Sequence, residues 1–227
     1  MLLICEEIPI FVFENCLTKK NYSEMKSKFM VLALAMVALM CSCSSRTELF
    51  NGKDLSGWVC VVDETSGVPA SEVYGVKDGN IHIVGQPFGY MRTEKKYGDY
   101  TMHMEWRWIG KGTNSGFFHR VQDGDKIWPN AIEVQLCAGK AGDFVMLGGS
   151  KSSEIECVGE FPVKDRSGNA EKAEGELNEA TVICKGGKIT VYVNGQLLNE
   201  CTTNNSEGYI ALQSEGGPIE FRNLWLE

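Results

Sequence analysis

Tyr100-Thr101-Met102-His103-Met104-Glu105-Trp106-Arg107-Trp108 alternates without a break. Tyr100, Met102, Met104, Trp106 and Trp108 fall on one side and Thr101, His103, Glu105 and Arg107 on the other, a period of two that a helix would scatter around its circumference. The stretch is a strand with one buried face. Ala131 to Cys137 repeats the pattern, with Ile132, Val134 and Leu136 facing a core and Glu133, Gln135 and Cys137 opposite. Val73 to Val84 reads as a hairpin turning at Lys77-Asp78-Gly79-Asn80, and Ala180 to Leu198 as two hairpins turning at Gly186-Gly187 and Asn194-Gly195. Tyr209 to Gln213 and Ile219 to Leu226 are the closing strands. All 25 glycines come after residue 50 and punctuate short apolar runs, while Glu171 to Glu179 alone invites a short turn of helix. Roughly ten to fourteen short strands in one unit predict an all-β fold of two packed antiparallel sheets, a jelly-roll sandwich.

The chain has 227 residues, 22 Lys+Arg against 30 Asp+Glu, and a net charge of -8. Residues 1–42 balance Glu6, Glu7, Glu14 and Glu24 against Lys19, Lys20, Lys26 and Lys28, so the acidic excess belongs to residues 43–227. With no basic patch to displace counterions, a nucleic-acid partner is excluded.

Met25-Lys26-Ser27-Lys28 precedes an apolar run from Phe29 to Met40 and then Cys41-Ser42-Cys43-Ser44-Ser45. Twelve residues rise about 18 Å as a helix, short of the roughly 30 Å hydrocarbon core, so this is an export signal and not a span. It resembles a bacterial lipoprotein signal. Small Ser42 before Cys43 suits cleavage better than bulky Met40 before Cys41, which makes Cys43 the expected lipidated residue. The organisation expected is 1–24 an over-extended start, 25–42 signal, 43–47 tether and 48–227 one domain. The protein would then sit lipid-anchored in the cell envelope, with the membrane contacted through the anchor alone. Cys60, Cys137, Cys157, Cys184 and Cys201 contain no CxxC pair and are odd in number, so buried free thiols are expected.

In a sandwich the polar side of a central strand meets water or lines a groove. Glu133 and Gln135 project together, as do His103, Glu105 and Arg107. In Asn114-Ser115-Gly116-Phe117-Phe118-His119-Arg120, the residues Asn114, Phe118 and Arg120 share one face. Glu, Gln, Asn and Arg among aromatic residues suit hydrogen bonding to a sugar and stacking on its ring, with Trp128 a platform at the groove rim. Trp106 and Trp108 belong to the core, and His82 to the surface. There is no GxSxG elbow, P-loop, HxH or HExxH, and the Glu133-Val134-Gln135 strand carries one carboxylate where glycosidases of the ordinary kind use two.

Leu49-Phe50-Asn51-Gly52-Lys53-Asp54-Leu55-Ser56-Gly57-Trp58, Tyr97-Gly98-Asp99-Tyr100, Asn114-Ser115-Gly116 with Arg120, Glu133-Val134-Gln135, Val193-Asn194-Gly195, Gly208-Tyr209-Ile210-Ala211-Leu212-Gln213 and Phe221-Arg222-Asn223-Leu224 occur in that order. Together they resemble the 3-keto-disaccharide hydrolase family, with a concanavalin A-like jelly roll, from about Glu48 to Glu227. The chain departs from the family at Cys137-Ala138-Gly139, where an Asp is usual, and at Leu177-Asn178, where a Trp-Asn pair is usual. The resemblance implies cleavage of 3-keto-glycosides or 3-keto-disaccharides. The ketone acidifies the C2 hydrogen, one base removes it, the enolate expels the C1 substituent, and water addition completes a net hydrolysis. Glu133 is the expected base, with His119 the competing candidate; Arg120 would polarise the keto oxygen. Asn114, Gln135, Glu105, Arg107 and Trp128 would contact the substrate. The family allows a divalent cation, for which the sequence displays no dense ligand set. A carbohydrate-binding lipoprotein of the same fold, without catalysis, is the alternative.

Overall fold

The computed structural model describes residues 46–156 and 158–227. Fifteen strands, numbered β1 to β15 in chain order, form two antiparallel sheets. The eight-stranded sheet runs β13 (Gln196–Thr202), β12 (Lys188–Val193), β11 (Asn178–Lys185), β6 (Tyr100–Trp108), β15 (Ile219–Leu226), β4 (Asn80–Ile83) and β3 (Tyr74–Lys77), with β1 (Thr47–Glu48) also paired to β15. The seven-stranded sheet runs β10 (Val163–Lys164), β9 (Phe144–Leu147), β8 (Ala131–Gln135), β7 (Gly116–Val121), β14 (Tyr209–Ser214), β5 (Gly89–Thr93) and β2 (Trp58–Val62). The jelly-roll expectation holds.

Burial along β6 alternates at every residue, as its sequence requires. Met102, Met104, Trp106 and Trp108 meet Met91, Phe117, Ile132, Val134, Phe144, Ile210 and Leu212 of the other sheet in one core. Each such side chain contributes roughly 1.5–3 kcal/mol by leaving water. The predicted hairpins form. Left-handed backbone at Asp78-Gly79 (φ 51° and 75°) and Asn194-Gly195 (φ 48° and 79°) gives the two-residue turns whose twist matches the strands. β1 opens at Thr47, opposite Leu226, one residue before the expected domain start.

No helix forms over 171–179. Residues 171–177 are an irregular loop leading into β11, held by Asn178, whose Oδ1 accepts from Lys172 N at 2.9 Å. Among the described residues the one α-helix is α1 (Ala70–Val73), entering β3. Cys60, Cys137, Cys184 and Cys201 are free thiols, the last two buried. Cys157, Cys43 and the signal segment lie outside the described residues.

Candidate active site

The seven-stranded sheet carries a second, smaller apolar cluster on the face turned away from the core, built on Tyr90, Phe118, Ala131, Val145, Leu147 and Ala211. The strand registers line up one row across this face: Val59, Arg92, Ala211, Phe118, Glu133, Val145 and Val163. The adjoining row carries Tyr90 beside Gln213, and Gly116 beside Gln135. Glu133 therefore lies between Phe118 and Val145 near the middle of the sheet, 2% exposed. Its carboxyl lies over the Cα of Gly116, where no other residue type leaves room.

Polar groups gather around it. Gln213 Nε2 donates to Glu215 Oε2 at 2.7 Å, and Asn114 also donates to Glu215. Burial raises the pKa of Glu133 well above the carboxylate range, and the nearby charge of Glu215 adds to this. Burial raises Glu215 as well, against the hydrogen bonds from Asn114 and Gln213. Glu133 Oε1, Gln213 Oε1, Asn114 Oδ1 and the Tyr90 hydroxyl are buried without a hydrogen-bond partner in the protein. Leaving such groups unmade costs about 1–3 kcal/mol each, so their presence together on the outer face of this sheet suits a polar ligand that completes them. Trp128 packs onto the same face. Farther along the row, Arg92 is held bidentately by Asp125 at 2.7 and 3.1 Å and lies over the Tyr209 ring at 4.2 Å.

Of the residues read from the sequence, Glu133, Gln135, Asn114 and Trp128 are brought to this face. Four are not. His119 points into the core, where Nδ1 meets the Tyr100 hydroxyl at 2.8 Å and the Cys184 sulfur at 3.9 Å. Burial, then the Arg120 charge, pulls its pKa down to about 3, so it is a neutral core histidine.

Alternation alone would put Arg120 with Phe118, but Arg120 has left-handed backbone (φ 59°) at a bulge against β14. The bulge turns the side chain inward, and its guanidinium donates to the carbonyls of Tyr97, Gly98 and Gly186 at the end of the sandwich. Glu105 and Arg107 belong to the other sheet, on its outer face, ion-paired with Arg222 and Glu220. His103 stacks there on Trp225 at 3.9 Å. The expectation that Glu133, Arg120, Glu105 and Arg107 share one hollow is therefore corrected. Sequence reasoning missed Glu215, Gln213 and Tyr90; the motif Gly208 to Gln213, ending two residues before Glu215, was the available signal.

Among the described residues no three His, Cys, Asp or Glu side chains converge as a metal cluster. The oxygen donors of Glu133, Glu215, Asn114 and Gln213 are hard ligands, of the kind calcium or magnesium takes rather than zinc.

Two facing antiparallel sheets, one carrying buried polar groups on its outer side, make this a jelly-roll sandwich of the concanavalin A-like class. The chain belongs to the family of 3-keto-alpha-glucoside-1,2-lyase-like domains, whose model matches residues 45–227. A candidate glycosyl hydrolase from Parabacteroides distasonis ATCC 8503 is similar at a TM-score of 0.60 and 21% identity, over 80% of this chain and 93% of that one. A second from the same organism is 26% identical, with a TM-score of 0.54 over 81% and 84% of the two chains. A Bacillus licheniformis beta-glucanase shares the fold at 14% identity and a TM-score of 0.53, over 79% and 95%. No curated protein matches significantly.

Proposed function

We propose that the protein cleaves 3-keto-glycosides by elimination across C1 and C2, with Glu133 as the base. The observation that carries this reading is the buried Glu133 carboxyl, whose Oε1 has no partner in the protein, set beside the Asn114–Gln213–Glu215 group. Glu133 takes the C2 proton, made acidic by the neighbouring ketone; the C1–O bond breaks as the enolate collapses to an enone. A base raised by burial is the stronger for it when ionised. The departing oxygen takes its proton from water. Tyr90, on the strand beside Gln213, is an unpartnered donor for the developing oxyanion. Addition of water to the enone makes the overall change a hydrolysis. A divalent cation bound here would be held by oxygens of Glu133, Glu215, Asn114 and Gln213, and would supply Lewis-acid stabilisation of that oxyanion.

The test is incubation with a 3-keto-glucoside, following the released aglycone and the exchange of C2 hydrogen with D2O. Turnover and exchange that both fall about 10²-fold or more in Glu133→Gln are the expected result. Equal rates in the variant would remove Glu133 from the role. Sugar binding without release in the native protein would favour the binding-module reading.

We also propose that the protein is exported and lipid-anchored through Cys43. Mass spectrometry of the native N-terminus tests this: a diacylglyceryl-modified Cys43 is expected, and a peptide from residues 1–24 would overturn it.

A further inference from the structure

Phe88, Trp128 and Phe161 form a chain of rings. Trp128 lies 5.7 Å from Phe88 at 52° and 5.4 Å from Phe161 at 61°. Trp128 is the anchored member, packed on the cluster that includes Phe118 and Val145, the two cross-strand neighbours of Glu133. The outer two rings are not absorbed by any core: Phe88 is 38% and Phe161 36% exposed, and Val163, at the end of the Glu133 row, is 52% exposed. Three aromatic rings left at a surface hold apolar area that a bound group removes from water.

The two sides of this place are chemically unlike. The unpartnered polar atoms, Glu133 Oε1, Gln213 Oε1, Asn114 Oδ1 and the Tyr90 hydroxyl, are enough for the hydroxyls of one sugar ring. Phe88, Phe161 and Val163 offer only C–H and ring faces. A second pyranose set against them would bury hydroxyls with nothing to bond, which disfavours it. A planar aromatic group would instead gain ring contacts beyond its buried area.

We propose that the Phe88–Trp128–Phe161 rings are the leaving-group subsite, and that the substrates preferred are glycosides with a planar aromatic aglycone rather than disaccharides. This rests on the reading that the glycone sits at Glu133, and deepens it by naming what C1 carries.

The experiment measures binding, so that it is independent of turnover. The purified protein is titrated by calorimetry with unoxidised 2-naphthyl glucoside, in both anomers, and with trehalose and sucrose, alongside the variants Phe161→Ala and Trp128→Ala. Phe161 is exposed enough for its variant to fold. The naphthyl glucoside is expected to bind about tenfold or more tightly than either disaccharide, and each variant to bring that ratio toward one. Disaccharides binding as well as the aryl glucoside, a ratio unchanged in both variants, or no binding of any glycoside would overturn the proposal. So would a concentration-dependent dimer in ultracentrifugation that Phe161→Ala abolishes, since the rings would then be covered by a second copy. Naphthyl binding with no cleavage of the 3-keto-glucoside would instead count against the catalytic reading alone.

Discussion

The carboxyl of Glu133 occupies the space in which any side chain at Gly116 would begin. A Cβ on Gly116 would stand 2.7 Å from Glu133 Cδ and overlap Oε1. A glycine in a strand interior is otherwise a cost, so here it makes room for the carboxyl. Gly116→Ala is expected to displace Glu133, lowering kcat/KM at least tenfold and stability by about 1–3 kcal/mol. In a double-mutant cycle, Glu133→Ala should return most of that stability to the Gly116→Ala chain without returning activity. Additive losses would mean that the two residues do not compete for the space.

Glu133 should cost the fold stability near neutral pH. Its folded pKa lies above the unfolded value, with burial the main cause. Below the unfolded pKa both states hold the proton and there is no penalty. As pH rises past it, the unfolded chain ionises freely while the folded carboxyl resists, so stability falls. Glu133→Gln is expected to raise stability by more than about 1 kcal/mol at pH 7 and to change it little at pH 3.5. Denaturant melts at the two pH values read this directly, and a variant no more stable at pH 7 than the native chain would contradict it.

Glu215 should set where activity begins on the pH axis. Its negative charge is the second cause of the raised Glu133 pKa, after burial. Glu215→Gln removes that charge, so Glu133 ionises at lower pH and the acid limb of kcat/KM should move toward acid. An acid limb that stays in place would show that the two carboxyls are not coupled.

Periodicity carried the strands, the hairpins and the Trp106 and Trp108 core positions, because side-chain alternation is a local consequence of extended backbone. It also carried Glu133 and Gln135, two residues apart on one strand, while Trp128 was legible from its place just before that strand. Three things in the site are not local. Which sheet a strand joins depends on long-range pairing, so β6 with Glu105 and Arg107 could not be separated from β8. The bulge that inverts Arg120 depends on Gly208 and β14, far along the chain; Gly208 presses on the Arg120 backbone with no room for a Cβ. Glu215 lies just beyond the Gly208 to Gln213 motif, in a turn whose direction no alternation gives.

The misplaced pair gives its own test. Glu105 and Arg107 lie on the outer face of the eight-stranded sheet, each paired with a residue of β15, with Glu105 and Arg222 both partly exposed and Glu220 buried beneath Arg107. Partly exposed pairs such as Glu105–Arg222 contribute about 0–1 kcal/mol. Glu105→Gln and Arg107→Ala are each expected to leave kcat/KM within about twofold of the native value, and Glu105→Gln to leave stability within about 1 kcal/mol. A tenfold loss of kcat/KM in either variant would place substrate on that face.

His119 should govern the acid side of the stability curve. Its folded pKa is depressed to about 3 from an ordinary 6.5, first by burial and then by the Arg120 charge. Above pH 6.5 histidine is neutral in both states and its contribution is complete. As pH falls below that value the unfolded chain takes up a proton that the folded ring refuses, and stability is lost progressively until the folded pKa is reached. Between pH 7 and pH 5 this amounts to roughly 2 kcal/mol, before most carboxylates begin to titrate. His119→Gln keeps a neutral hydrogen-bonding group near the Tyr100 hydroxyl and has no proton to gain. The variant is expected to start less stable at pH 7, through poorer packing, and to lose much less between pH 7 and 5. An equal loss in both proteins would mean that the ring is charged, or reaches water, in the folded state.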